Sequence, residues 1–477
     1  MRRRLPSRRR ASCDGIALKG LQATKLRVRG LQIADICMVA FGLVLVGSLS
    51  YRGMLDPDYT FTAIAATIAC LAVGIFAPLA ALAMSLALPI LGQLPMLSIL
   101  GNRAEIIGIL LNVGVLLRIV GIRLPQEQVS TLRLLFGFGL INAFVLAISA
   151  HSDSSTTSLG IAMAHAVTTA MAIAATALPL PVLARAVGPA GLTVAWAAYP
   201  TPQLLNDRTV AAAGQNANGV GMIAALGLVL AVVGLLTDRG LWRFWHLGVS
   251  LSCGLAVFIS QSRGAYLALA IGVLVLVSGK LLVRRSLGGW LGIGVFLIAA
   301  TLLGIRLVAW VGQFTGRFRT TEVADESLQT RLDAAMYSLQ QGLVHPLDGV
   351  GLTNLVNYSN LNGGYATVRS HVVYLGVWGE AGLLAASLLG VTCWRAVTRA
   401  RRLGRHELAP VAATLVAGIS VNWWPSSGTG AVALSVIAWG ASLTPIALGE
   451  QSPIRNRRLR RLHGGGKQAL PNRGCRT

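Results

Sequence analysis

Apolar stretches of close to a bilayer's width recur along most of this chain, near 33–50, 60–77, 79–99, 104–121, 132–150, 158–178, 217–236, 244–260, 264–280, 287–310, 371–393, 408–422 and 430–448. Each approaches the ~20 residues that a helix needs to cross a membrane. A weaker candidate covers 183–199. In hydrocarbon a backbone must satisfy its own polar groups, and uninterrupted apolar runs of this length do so as helices. The expected fold is all-α: a polytopic integral membrane helical bundle of about 12–14 transmembrane helices. Of the 477 residues 54% are hydrophobic and only 12% charged, and the mean hydropathy is +0.65.

The net charge of +24 raises the question of a nucleic-acid partner, and the position of the basic residues answers it. With the N-terminus in the cytoplasm, most of the 41 Lys and Arg fall on the cytoplasmic side. They lie in MRRRLPSRRR and the rest of the first tail, around Arg118 to Arg133, and in KLLVRR, RAVTRARRLGR and RNRRLRRLHGGGK. This is the positive-inside pattern. The basic tails therefore read as topology determinants beside anionic lipid headgroups, with no nucleic-acid partner expected. Both termini then lie inside, which requires an even number of spans and favours counting 183–199. The first apolar run follows a long basic tail without a small-residue cleavage site, so it reads as an anchor. The six Cys are dispersed and indicate neither a disulfide framework nor a metal site.

The expected organisation is a basic cytoplasmic tail at 1–32, a transmembrane bundle at 33–310, a long extracytoplasmic loop at 311–370, C-terminal transmembrane helices at 371–448 and a second basic tail at 449–477. Most outside connections are short, and a long loop in so compact a bundle is usually functional. Within it, DESLQTRLDAAMYSLQQGLVHP carries Leu328, Leu332, Met336, Leu339 and Leu343 at helical spacing, with Pro346 closing the segment. Such an amphipathic helix can lie on the membrane or cap a cavity.

Few residues on the outer side carry chemistry. Arg208, Arg263 and Arg331 come from separate connections, and a guanidinium offers a fixed fork of donors suited to phosphate oxygens. Converging, they would form a diphosphate site that neutralises a leaving group's charge without a metal or other cofactor. Taken singly, Arg208 and Arg331 also read as interfacial anchors. Arg263 sits in a very short outside turn, against the positive-inside trend. His371, with Arg369 beside it, stands at the outer mouth of its span, where an imidazole with an ordinary pKa of about 6.5 can accept a proton from a hydroxyl. Glu380 lies about 13 Å further in, close to the middle of a ~30 Å core. It reads as a supporting residue that fixes an Arg or a helix contact. His165 and His246 read as core residues, and His345 as a neighbour of the Pro that ends the loop helix. Asp56 and Asp58 in the first outside loop offer a rival, an acidic pair holding a divalent metal in a lipid-phosphate-sugar glycosyltransferase. Two carboxylates two residues apart are a weak signal, and a solvated turn is the preferred reading.

In order and spacing, the segment from Arg208 to Glu380 resembles the O-antigen ligase and polysaccharide polymerase superfamily of membrane glycosyltransferases. The resemblance rests on Arg208 followed by Asn216 and Asn218, on SRG at Ser262 to Gly264, on RLDAAMYSLQQGLVHPLDGVGL, and on HVVYLGVWGEAGLL. The chain departs by reading NAN for NPN, Tyr337 for Trp, and Val372 for an Asn after the histidine. The resemblance implies inverting, metal-independent transfer of a glycan from a polyprenyl-diphosphate carrier to an acceptor hydroxyl on a glycan, lipid or protein. The reaction would occur on the outer face of the cytoplasmic membrane, in cell-surface polysaccharide biosynthesis. By position His371 would be the catalytic base, Arg208, Arg263 and Arg331 would bind the diphosphate, and the long loop would cover the cleft. A non-enzymatic lipid-glycan flippase or exporter is the other alternative.

Overall fold

The computed structural model describes residues 59–91, 101–120, 122–149, 154–198, 209–210, 215–260, 262–283, 321–352, 354–365, 370, 372–420 and 428–444. Among them are fourteen helices. The first six are α1 (Tyr59–Phe76), α2 (Pro78–Leu91), α3 (Gly101–Ile119), α4 (Gln126–Ser149), α5 (Ser154–Thr176) and α6 (Leu180–Ala198). A two-residue antiparallel pair follows, β1 (Thr209–Val210) with β2 (Gln215–Asn216), in the register Thr209 to Asn216 and Val210 to Gln215. Then come α7 (Ala217–Thr237), α8 (Trp242–Ser260) and α9 (Arg263–Val283). The loop contributes α10 (Thr321–Val344) and α11 (Leu355–Leu361), and the chain continues as α12 (Val373–Leu403), α13 (Arg405–Ser420) and α14 (Gly428–Ser442). The protein is an all-α polytopic membrane bundle. Among the described residues five helices are long and apolar enough to cross a bilayer, and five shorter ones are apolar. Of the weak candidate at 183–199, residues 183–198 are helical, in α6. The expected spans at 33–50 and 287–310 and both tails lie outside the described residues.

Lipid supplies no hydrophobic drive between helices, so close van der Waals contact holds the bundle together. The residue types fit: much of the core is alanine, with Ala81, Ala166, Ala170, Ala186, Ala190 and Ala224 among the fully buried positions. Gly74 of α1 and Gly114 of α3 bring two backbones so near that a Cβ on either would strike the other helix. Polar side chains add specific bonds. Asn112 donates to Ser85 Oγ (3.1 Å) and Thr169 Oγ1 (2.7 Å), and His165 Nε2 lies 2.8 Å from the Ser85 carbonyl, tying α2, α3 and α5 together. His165 is thus a satisfied core residue.

Arginines fasten one end of the bundle. Arg118 donates to the last carbonyls of α1, at Ile75 (2.9 Å) and Phe76 (3.3 Å). Arg399 donates to the Ala441 carbonyl at the end of α14, where Thr131 also donates (2.8 Å). Helix C-termini carry unpaired carbonyls and partial negative charge, which cations satisfy. Arg185 makes a bidentate pair with Asp238 (2.6–2.9 Å) and lies 4.1 Å over the Trp242 ring, while His246 Nε2 reaches the same carboxylate at 3.2 Å. The basic residues at this end build structure.

Candidate functional site

At the opposite end, the apolar run at 371–393 is not one straight span. Helix α12 breaks at Gly382 (φ 80°, ψ 173°). The carbonyls of Gly379 and Glu380 accept from the loop amides of Val350 (2.9 Å) and Gly351 (3.0 Å), and the Leu383 amide donates to the Pro346 carbonyl (2.7 Å). The turn from Pro346 to Gly351 is thus inserted into the helix break. Only glycine suits position 382, because φ is positive and the Leu347 carbonyl occupies the space a Cβ would need. Below the break, Leu383–Leu403 alone is about 31 Å long, enough for a bilayer. The break falls two residues after Glu380. The fully buried Glu380 lies at the seam between the loop and the transmembrane part of α12.

The loop forms a small module on the upper segment of α12. The backbone of α10 at Ser338 abuts Gly379, and Gly342 faces the Trp378 ring closely enough that a Cβ would sit 3.0 Å from it. Tyr337, Val350 and Leu355 make a separate apolar core, with Tyr358 packed against it. Tyr337 meets Tyr365 edge-on at 5.3 Å, and His345 Nε2 is hydrogen-bonded to the Tyr358 hydroxyl at 3.1 Å. Tyr337 is the aromatic anchor of this module. His345 joins α10 to α11 and has a structural role.

Arg331 is half-buried on α10. Just before α12 Ser370 is buried, and its Oγ accepts from the Val372 amide (3.2 Å). Val372 is the N-cap residue of α12 and gives no side-chain cap, which an Asn would supply.

Arg263 is the first residue of α9, exposed, and Ser262 before it is buried. Ser262 Oγ accepts from the Ala265 amide (3.3 Å), the N-cap bond, and donates to Asn218 Oδ1 (3.0 Å) at the start of α7. Gly221 leaves room for this approach, since a Cβ there would collide with Ser260 and Ser262. The second asparagine of NAN and the serine of SRG are thus one joint between two helix N-termini. Ala217 occupies the first position of α7, where proline is favoured for its fixed φ and alanine also fits. Cations at a helix N-terminus oppose its dipole. Arg263 therefore adds positive charge to a point that is already positive, which suits an anion.

Arg208, Arg369 and His371, and the rival pair Asp56 and Asp58, lie outside the described residues. The break in α12 and the bond between Ser262 and Asn218 escaped the sequence reading. The signal for the first was present in the glycines of DGVG and GEAG, which sit on the two sides of the seam.

The bundle, the inserted turn and the arginine at a helix N-terminus define a polytopic membrane protein with a built site at one end. Residues 247–390 match the family model described as O-antigen ligase, and this match supports the resemblance to that superfamily. The matched stretch holds α9, the loop module and the break in α12, with Arg263, Arg331, His371 and Glu380. No curated protein matches the chain. The family's work is membrane glycan transfer in polysaccharide biosynthesis, with a lipid-linked glycan as substrate.

Proposed function

We propose that the protein transfers a glycan from a polyprenyl-diphosphate carrier to an acceptor hydroxyl, as a ligase or polymerase, without a metal. His371 takes the proton of the acceptor hydroxyl as its oxygen attacks the anomeric carbon. The bond from that carbon to the diphosphate oxygen breaks with inversion, and the diphosphate leaves as an anion held by Arg208, Arg263 and Arg331. The observation that carries this reading is Arg263 at the N-terminus of α9, fixed by the bond from Ser262 to Asn218. A guanidinium and a helix N-terminus at one point stabilise the charge that develops on a departing diphosphate. Glu380 supports the site indirectly, through the seam that sets the loop against α12.

The test is transfer by purified protein, with a lipid-linked glycan as donor, in excess EDTA. Wild-type protein is expected to remain active, and His371→Ala to insert normally and lose transfer. Full activity of His371→Ala would overturn the base assignment. Abolition by EDTA together with loss of activity in Asp56→Ala would favour the metal-dependent alternative, and passage of labelled lipid-glycan into sealed vesicles without product would favour a flippase.

A further inference from the structure

Helix α10 carries an apolar stripe on its outer side. Leu332, Met336 and Leu343 are 51%, 57% and 64% exposed, and Leu347 beyond the helix end is 77% exposed. The expected apolar face is therefore not the packing face. The bundle takes the opposite side of α10, where Ala334, Ala335, Tyr337, Ser338 and Gln341 are buried. No charged residue lies from Ala334 to Leu347, while Arg331 and Asp333 precede this stretch and Asp348 follows it. The stripe does not end at Leu347. The Pro346 carbonyl accepts from the Leu383 amide, so Leu347 stands next to Leu383 and Leu384, which open the exposed apolar side of the transmembrane part of α12 and lead on to Val391 and Trp394.

We propose that this face of α10 lies against the hydrocarbon boundary of the bilayer at the loop end, as a lipid-contacting helix and not as a lid over water. Its charged ends sit in the headgroup layer and its leucines and methionine enter the acyl boundary. Two features fit that place. Three amides of the inserted turn are paired, Val350 and Gly351 with α12 and Gly349 with the His345 carbonyl (3.1 Å), as suits backbone near lipid. The break at Gly382 also frees the upper segment of α12, with α10 packed on it, from following the transmembrane axis. The lipid face is continuous from α10 to α12, whatever reaction the site performs.

The test uses the full chain with its native cysteines replaced by Ala. Met336→Cys, Leu343→Cys and Leu347→Cys are labelled with an environment-sensitive fluorophore, with Gln329→Cys as the polar reference, and reconstituted into phospholipid vesicles with or without brominated acyl chains. The three stripe positions are expected to lose most of their emission to brominated lipid and little to aqueous iodide, and the Gln329 position to behave the opposite way. Reading three positions means that one variant failing to insert does not decide the result. Iodide quenching at Leu343 and Leu347 would overturn the proposal in favour of a water-facing lid. Protection from both quenchers would overturn it in favour of a protein neighbour.

Discussion

The Gly351 amide donates to the Glu380 carbonyl at 3.0 Å, joining a loop turn to the broken end of a transmembrane helix. This bond and its two neighbours make the loop module and α12 a single hydrogen-bonded unit. A side chain at Gly382 should part them. Gly382→Ala combines a positive φ, which costs about 1–3 kcal/mol, with a clash against the Leu347 carbonyl. It is expected to lower the melting temperature in detergent and abolish transfer. Gly390→Ala is the control, because a Cβ at Gly390 meets nothing within 4 Å, and it should be neutral or slightly stabilising.

The joint between Ser262 and Asn218 gives a second expectation. Ser262→Ala removes an N-cap bond and an interhelical bond, costing on the order of 1–2 kcal/mol. Asn218→Ala removes only the second. In a double-mutant cycle the two losses should fall short of additivity by about 1 kcal/mol, and additive losses would mean that the bond does not form.

Arg263→Lys separates the guanidinium from its charge. A lysine keeps the charge but lacks the planar fork, so transfer should fall about tenfold to a hundredfold while insertion and melting temperature stay unchanged. The loss should appear as a raised KM for the lipid-linked donor or a lowered kcat. Wild-type kinetics in this variant would remove Arg263 from the diphosphate site.

At the basic end, burial pushes the Asp238 carboxyl up, but bonds from Arg185 and the Arg239 amide outweigh it and hold the group below the usual carboxylate range. A folded-state pKa below the unfolded one contributes stability that is complete above the unfolded value. That stability disappears as pH falls through the folded one. Wild-type protein should therefore lose stability on strong acidification, and Asp238→Asn should flatten this dependence. At neutral pH Asp238→Asn should cost on the order of 3 kcal/mol, because Arg185 then lacks its partner. Thermal melts across acid pH, in the two proteins side by side, test both statements.

Much of this architecture was legible in the amino-acid sequence because bilayer insertion depends on local composition. Twenty apolar residues form a helix in lipid whatever surrounds them, so the all-α bundle and helices such as α7 could be read from the runs alone. The family resemblance was legible for a related reason, since SRG and HPLDGVG mark points where a helix begins or a turn must close. The sequence by itself did not determine the seam between Glu380 and Gly351, the joint between Ser262 and Asn218, or the outward face of α10. Each depends on a partner far along the chain. Gly382 breaks its helix because a loop amide at position 351 takes the carbonyl that would otherwise continue the helical ladder. Leu343 faces outward because the smaller Ser338 and Gly342 let α10 approach α12 more closely on the other side. Periodicity identifies a helix and its apolar stripe, but which face the bundle buries is decided by the packing of two backbones, and only the tertiary structure contains that choice.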